Sequence, residues 1–340
     1  MNGPHKSGCL YFYKILQDYL SQEGLCQVDI RRYSTNSTET YRPSFLGGEK
    51  GTRFSDFELQ KTEAKFSPHN KLNDLTGREW IKFTKSWFIH RPERRADSKI
   101  LHPASFPESL AKEFILFFTK EGETVVDPFL GTGSSLVACL ETGRNGVGVE
   151  VMEKYSSIAR SRLGTVTREA NSPPTVRVLH GDSKHLEDLW TKEKIGLADY
   201  CITSPPYWNQ LKRSDLRQKK RAELGYDTNY GDNPEEVGII EDYEQFLVAL
   251  KQVFNEVYRI MKPKGYLTII TNNVFQNGRL YPLAFDTVRT LASEPCAWVP
   301  KDEKVWCQDD KALLPLGVNS AWVGNRHHQY CLIFRKETGL

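Results

Sequence analysis

No stretch of this 340-residue chain approaches the run of about twenty apolar residues needed to cross a bilayer. Its first residues carry no basic-then-apolar secretion pattern either. Seven cysteines are present but no two form a CxxC pair, which disfavours a structural zinc and a disulfide framework. No metal ligand set is expected, and unpaired thiols point to a reducing, cytoplasmic setting. The net charge of +3 is too small to argue for a nucleic-acid partner by itself. No internal repeat occurs, which excludes solenoids and propellers. A balance of 39% hydrophobic and 26% charged residues is that of an ordinary globular protein, long enough for one large domain and a smaller module.

What is present is a series of apolar strands, each ending in a chemically useful residue. Val125-Val126-Asp127-Pro128-Phe129-Leu130-Gly131-Thr132-Gly133-Ser134-Ser135 reads as a strand, a glycine turn and the start of a helix over Ser134 to Glu141. Glycines there permit positive φ and close approach of a ligand, while a helix N-terminus offers unpaired amides. The full dinucleotide fingerprint is not met, because Leu136 stands where its third glycine belongs, so nicotinamide binding is disfavoured. The next strand, Gly146 to Glu150, ends in an acid nineteen residues after Gly131, a spacing that suits ribose hydroxyls. A third, Val176 to His180, runs into Gly181-Asp182-Ser183. Each acid alone would be an ordinary strand-end residue. Their order along the chain favours a nucleoside-bearing ligand at the carboxyl edge of an open α/β sheet.

A fourth strand, Gly196 to Thr203, breaks into Ser204-Pro205-Pro206-Tyr207-Trp208. Consecutive prolines stiffen the chain where it leaves the strand. They hold a hydroxyl, backbone carbonyls and an aromatic ring in one cluster suited to an amine on a planar ring. Proline-rich motifs also serve as linkers or recognition elements, and Trp208 could support a base or simply pack its loop. Directly after the corner come Lys212, Arg213, Arg217, Lys219, Lys220 and Arg221 against Asp215 and Glu223, with Arg91, Arg94 and Arg95 as a second basic group. Such runs are usually solvated surface, but beside a base-handling site they suit phosphate neutralisation.

Downstream, Asp242 is placed to cap a helix to about Lys262, with Phe246, Leu250, Val253, Phe254, Val257 and Ile260 as its apolar stripe. A strand over Tyr266 to Thr271, a helix over Tyr281 to Ser293 and strands at Cys296 to Pro300 and Gln329 to Arg335 follow. This alternation predicts a mostly parallel sheet with helices on both faces. Residues 1 to about 71 break the rhythm, with a short amphipathic start (Leu10 to Leu20) and polar stretches, and read as a separate module or arm.

The pair DPFLGTGSS and TSPPYW resembles motifs I and IV of the S-adenosylmethionine-dependent amino methyltransferases of DNA, and the Ser-Pro-Pro-Tyr form most resembles the cytosine-N4 enzymes. The likeness covers roughly residues 72 to 336. It includes Leu101 to Pro107, similar to motif X, and Tyr258-Arg259-Ile260-Met261-Lys262-Pro263-Lys264-Gly265. The resemblance implies a class I Rossmann-like methyltransferase fold with a seven-stranded sheet, its last strand antiparallel, over residues 96–340, and a small N-terminal segment over 1–95. It implies S-adenosylmethionine held by Asp127, Phe129, Gly131, Thr132, Gly133, Ser134, Glu150, Asp182 and Ser183. Ser204, Pro205, Pro206 and Tyr207 would be the catalytic group. Trp208, Lys212, Arg213, Lys219, Lys220 and Arg221 would meet duplex DNA, and base flipping is implied. It further implies a prokaryotic restriction–modification context with a cognate restriction endonuclease as partner.

The motif order places X and I before IV, whereas most Ser-Pro-Pro-Tyr enzymes are permuted. Two regions could then read the target sequence: the N-terminal segment with Leu72 to Arg95, favoured on size, or the stretch Lys301 to His328. Rival readings are adenine-N6 methylation of DNA, methylation of an RNA exocyclic amine, and a non-catalytic DNA-binding protein that keeps a cofactor pocket.

Overall fold

A computed structural model describes residues 28–35, 38–45, 70–91, 106–165, 174–208, 233, 235–309 and 311–337. The chain divides into two compact units, Met1–Lys65 and Phe66–Leu340. The smaller contributes one antiparallel hairpin, β1 (Val28–Thr35) and β2 (Thr38–Phe45), paired from Val28↔Phe45 to Thr35↔Thr38. No strand is expected there from the sequence rhythm. The amphipathic stretch Leu10 to Leu20 lies outside the described residues.

The larger unit is built on an eight-stranded sheet. Its strands are β3 (Trp87–Ile89), β4 (Thr124–Asp127), β5 (Asn145–Glu150), β6 (Val176–His180), β7 (Ala198–Thr203), β8 (Met261–Thr271), β11 (Val299–Cys307) and β12 (His328–Arg335), in the spatial order β3-β11-β12-β8-β7-β4-β5-β6. All neighbours run parallel except around β12, which is antiparallel to both β8 and β11. This is the class I Rossmann-like arrangement, with one more strand than the expected seven. A small hairpin, β9 (Val274–Gln276) with β10 (Arg279–Tyr281), follows the carboxyl end of β8.

Alternation along the strands sends side chains to two separate cores. Val126, Val147, Cys201, Leu267 and Ile269 join a cluster with α5 (Leu186–Lys192), α6 (Tyr243–Ile260) and α7 (Leu283–Leu291). Val125, Tyr200, Ile202 and Ile270 face the other way, onto α2 (Glu108–Phe118) and Ala138 and Cys139 of α3 (Ser134–Thr142). Helix α4 (Glu153–Thr165) connects β5 to β6. Helix α6 starts where the capping pattern places it: Asp242 Oδ1 accepts from the Gln245 amide at 2.8 Å, and the whole expected stripe from Phe246 to Ile260 is buried.

Three expectations shift. The strand read at Cys296 to Pro300 starts at Val299 and runs to Cys307. Trp298 is buried just before it, its indole donating to the Phe254 carbonyl at 3.1 Å, so the apolar signal marks an anchor ahead of the strand. The helix read from Tyr281 is shorter, because Arg279–Tyr281 pairs as β10 instead.

The third shift is the domain boundary, which falls after Lys65 and not at 95. Helix α1 (Gly77–Phe83) opens with a reciprocal cap between Thr76 and Glu79. Its Trp80 and Phe83 lie against Phe117, with ring centroids 4.9 and 4.0 Å apart. Asn73 Nδ2 donates to the Phe117 carbonyl at 2.6 Å. β3 pairs with β11 from Trp87 to Ile89, and Lys304 Nζ donates to the carbonyls of Phe83 and Lys85. Residues 72–91 therefore pack with the larger unit, and Trp87–Ile89 forms an edge strand of its sheet.

Candidate active site

The order of strands reverses between β4 and β7, so the chain leaves both at a gap on the carboxyl edge, where open α/β sheets take ligands. A cleft of ≈ 580 Å³ opens there. Phe129 and Gly131 from the turn after β4, Glu150 from the end of β5, Asp182 and Ser183 after β6, and Ser204 and Pro206 after β7 all line it. Four strand ends read separately in the sequence thus meet at one place.

The glycine turn takes its shape from positive φ, +55° at Gly131 and +86° at Gly133, the latter being the residue before α3. A side chain at Gly133 would also meet the Cβ of Ala159 at 3.1 Å. Glu150 fixes the turn from across the cleft: its Oε2 accepts from the Gly131 amide at 2.8 Å and its Oε1 from the Met152 amide at 2.9 Å. Burial pushes this carboxyl up to about 7, opposed by the Met152 amide and reinforced by Glu236. Asp182 Oδ1 accepts from the Lys184 amide at 2.9 Å, and its Oδ2 pairs with Lys184 Nζ at 3.1 Å. Ser183 donates to the Pro128 carbonyl at 2.5 Å, joining the third strand end to the first.

Asp127 makes its hydrogen bonds inside the protein. Its carboxylate accepts from the Phe129 amide at 3.1 Å, the Thr203 hydroxyl at 2.6 Å and the Ser135 hydroxyl at 2.6 Å, so it ties β4 to β7 and α3 and does not line the cleft. Burial raises it to about 6 against those three hydrogen bonds. Thr132 and Ser134 are likewise drawn away. The Thr132 carbonyl accepts from Arg162, which also pairs with Glu108, and Ser134 donates to Glu108 at 3.3 Å.

At the corner after β7, Ser204 Oγ lies 3.3 Å from the Tyr207 hydroxyl, which donates to Gln329 Oε1 at 2.8 Å. The ring of Tyr207 is thereby held by Gln329 at the start of β12. Burial pushes its phenol up, so it stays a neutral donor. Pro205 is buried behind the corner and is not among the lining residues.

Trp208 is not a surface group: it is 5% exposed. A left-handed turn at Trp208 (φ 53°) folds the ring back under the start of α6. There its indole donates to the Glu241 carbonyl at 3.1 Å and packs on Tyr243 and Tyr281, at 5.2 and 4.7 Å. Of the two roles left open, loop packing is the one observed. Lys212, Arg213, Lys219, Lys220 and Arg221 lie outside the described residues, as do Arg94, Arg95 and residues 101–105 of the motif X segment.

A profile of the DNA methylase family, of N6/N4 type, matches residues 35–161 and 198–339. The chain belongs to the N6/N4 DNA methylase family. Similar proteins include the type II methyltransferase M.HpaI of Haemophilus parainfluenzae, 37% identical over 159 residues that cover 45% of this chain and 49% of that protein. Another is M2.DpnII of Streptococcus pneumoniae, 32% identical over 132 residues, 39% of this chain and 44% of that one. The chain thus spans about half the length of the curated relatives it matches, or less. Among solved structures, TrmN from Thermus thermophilus aligns with 70% of this chain and 51% of its own at 15% identity and a TM-score of 0.42.

Several residues at this cleft have no local signature. Glu235, Glu236 and Val237 close the cleft from the segment before α6, and Tyr155 and Val253 add apolar walls. Glu236 caps a short 3₁₀ turn through the Gly238 amide at 2.9 Å, so in sequence it reads as a turn residue. Gln329 reaches Tyr207 across 122 residues of chain, a contact no spacing rule announces. Among the described residues no group of three or more His, Cys, Asp and Glu is placed to hold a metal, and no helix is long and apolar enough to cross a membrane.

Proposed function

We propose that this chain transfers a methyl group from S-adenosylmethionine to the exocyclic N4 amine of cytosine in duplex DNA, on a base turned out of the helix. The observation that carries the reading is that Ser204 of the Ser-Pro-Pro-Tyr corner and Gly131 of the glycine turn, 73 residues apart, share one cleft at the reversal of strand order. Membership of the N6/N4 methylase family supports it.

The residues fit the cofactor. Positive-φ glycines let a methionyl chain approach the backbone, and Phe129 offers an apolar wall. Glu150 stands at the end of the second strand, where ribose hydroxyls are taken, and Asp182 at the end of the third suits the adenine amine. Glu235 and Glu236 add to an acidic lining suited to a ligand that carries a sulfonium charge. When bound, S-adenosylmethionine supplies an electrophilic methyl group.

The protein's own residues have to prepare the amine. The lone pair of cytosine N4 is delocalised into the ring and is a poor nucleophile. Ser204 Oγ, which lines the cleft, accepts one of its hydrogens, which localises the lone pair and aims it into the cleft. The resemblance assigns the second hydrogen to the carbonyl of Pro205, a residue that does not line the cleft here. The Tyr207 ring, oriented through Gln329, faces the base. No strong base is required, since the N4 proton becomes acidic as the methyl is gained, and orientation with fixed dipoles supplies the rate. Extrusion of the target base is required because N4 is not accessible for in-line attack inside the stack.

The similarity to type II methyltransferases supports a restriction–modification role beside a cognate endonuclease, in a prokaryotic cytoplasm. Replacing Lys219, Lys220 and Arg221 by Gln lowers DNA affinity and reduces the slope of log affinity against log salt by roughly 2 to 3. An unchanged slope in a filter-binding series removes those three residues from the interface.

The Glu150 assignment has a pH signature. Its proton leaves near about 7, and only the carboxylate accepts both ribose hydrogens. Calorimetric affinity for S-adenosylmethionine is therefore expected to rise from about pH 6 to about pH 8. In Glu150→Gln it becomes flat over that range and roughly tenfold weaker. A wild-type profile that is flat, or one that Glu150→Gln leaves unchanged, removes Glu150 from the cofactor site.

The function itself is tested by nucleoside mass spectrometry on genomic DNA from a methylation-free host expressing the chain. N4-methylcytosine is the expected product. N6-methyladenine overturns the choice of base, and the absence of both marks from folded, cofactor-binding protein overturns the DNA reading.

A further inference from the structure

A chain of four hydrogen bonds between side chains runs from the surface to the Ser204 hydroxyl. Gln308 follows the end of β11 and Gln329 is the second residue of β12, on two neighbouring antiparallel strands. The Gln308 backbone is fixed on both sides: its amide donates to the His327 carbonyl at 2.7 Å, and its carbonyl accepts from the Lys311 amide at 3.4 Å. That turn returns Lys311 to Gln308, whose Oε1 accepts from Lys311 Nζ at 2.5 Å and from Gln329 Nε2 at 3.4 Å. Gln329 Oε1 accepts from the Tyr207 hydroxyl at 2.8 Å, and that hydroxyl lies 3.3 Å from Ser204 Oγ. The middle of the chain is buried, with Gln308 8% exposed, while its ends reach out: Lys311 is on the surface and Ser204 lines the cleft.

The direction of this chain is set at its outer end. An ammonium donates and cannot accept, so the Gln308 atom facing Lys311 has to be the carbonyl oxygen and not the amide nitrogen. That oxygen only accepts, so Gln329 has to turn its NH2 toward it. The other end of the Gln329 amide is then its oxygen, which is met by the Tyr207 hydroxyl as donor. A phenol has a single proton, and here it is spent on Gln329. The contact between Tyr207 and Ser204 is therefore filled by the Ser204 proton. With that hydrogen turned toward Tyr207, Ser204 Oγ presents its lone pairs to the cleft. Without Lys311 both amides can turn over and the order of donors reverses. Tyr207 then donates to Ser204, and the serine proton points at the incoming amine, a donor set against a donor.

We propose that Lys311 is a positioning residue for methyl transfer, acting through Gln308, Gln329 and Tyr207 to hold Ser204 Oγ as a hydrogen-bond acceptor for the target amine. The inference rests on the DNA-methylation reading and adds to it what makes a hydroxyl, able to donate or accept, act in one sense only. The chain conveys direction and not protons, because its two central members are amides, which neither gain nor lose a proton near neutral pH. Lys311 does not line the cleft, so its effect belongs to the rate of the chemical step and not to cofactor binding.

The test is single-turnover transfer of radiolabelled methyl from S-adenosylmethionine to saturating unmethylated genomic DNA by the full chain. Lys311→Met is expected to slow the step roughly five- to tenfold, the worth of one hydrogen bond. DNA affinity, S-adenosylmethionine affinity and melting temperature should stay those of wild type. Lys311→Arg, again a donor only, should keep most of the rate. The decisive comparison uses Gln329→Glu. A carboxylate has no hydrogen to offer, so Tyr207 still donates to it whatever stands at position 311. In that background Lys311→Met is expected to change the rate by less than about twofold. An equal loss in both backgrounds overturns the inference, since a lysine that braces the turn or attracts phosphates acts alike in each. A wild-type rate in Lys311→Met overturns it, as does a loss that falls on DNA affinity, or a Lys311→Arg chain as slow as Lys311→Met. Gln329→Glu without measurable transfer overturns it too, because the acceptor it keeps should suffice. In all these cases the wild-type chain still methylates DNA and the methylation reading stands. A wild-type chain that transfers no methyl to DNA overturns both.

Discussion

Ser204→Ala is expected to lower turnover on DNA roughly 10²- to 10³-fold while leaving S-adenosylmethionine affinity unchanged. Among the described residues the hydroxyl has one hydrogen-bond partner, the Tyr207 hydroxyl at 3.3 Å, and Ser204 lines the cleft. It is therefore positioned to accept an amine hydrogen as charge develops, an interaction stronger in the transition state than in the ground state. Tyr207 remains anchored to Gln329 when Ser204 is truncated, so the corner keeps its shape. Single-turnover methyl transfer alongside calorimetric cofactor binding separates the two quantities. A variant with wild-type turnover would remove Ser204 from the reaction, and one that loses cofactor binding in proportion would make it a cofactor ligand.

The second large effect falls on stability and not on chemistry. Asp127→Ala is expected to cost about 3 kcal/mol or more, because it leaves two buried hydroxyls and an amide without their acceptor, at about 1–3 kcal/mol for each orphaned group. Those groups, Thr203, Ser135 and Phe129, belong to β7, α3 and the glycine turn, so the loss is shared by the elements that shape the cleft. Asp127→Asn keeps an acceptor oxygen and should recover part of it. The same carboxyl makes stability depend on pH. Its value is about 6 in the folded chain against 3.8 ordinarily, so between those values the folded state holds a proton that the unfolded state has released. Stability accordingly falls as pH rises through that window. Asp127→Asn should lessen the slope. Urea denaturation across the range checks both points, and an Asp127→Ala variant within about 1 kcal/mol of wild type would show that the three donors find other partners.

Asp127 and Trp208 show what a motif leaves open. A motif reports which residue types stand together along the chain, and both residues stand inside motifs that face a ligand. Asp127 ends a strand beside the Thr203 and Ser135 hydroxyls and the Phe129 amide, and a buried carboxylate is satisfied by whatever donors are within reach. Trp208 follows a left-handed turn that aims its ring at Tyr243 and Tyr281, residues 35 and 73 positions later in the chain. Neither partner set has a local signature.

The sequence by itself determined the alternation of strands and helices, the glycine turn, the acids at the ends of β5 and β6 and the rigid corner after β7, because each depends on local preferences: φ at glycine and proline, period-two burial, helix capping. It also determined the antiparallel return of the last strand through its resemblance. Only the tertiary structure decided that the strand order reverses between β4 and β7, which brings the turn and the corner onto one cleft. It also decided that Trp87–Ile89 closes the sheet as an eighth strand, that Glu236 lines the cleft, that Gln329 reaches Tyr207, and that Trp322 stands exposed. These depend on contacts between residues tens to hundreds of positions apart. Such contacts are set by how whole elements pack, and no spacing along the chain encodes them.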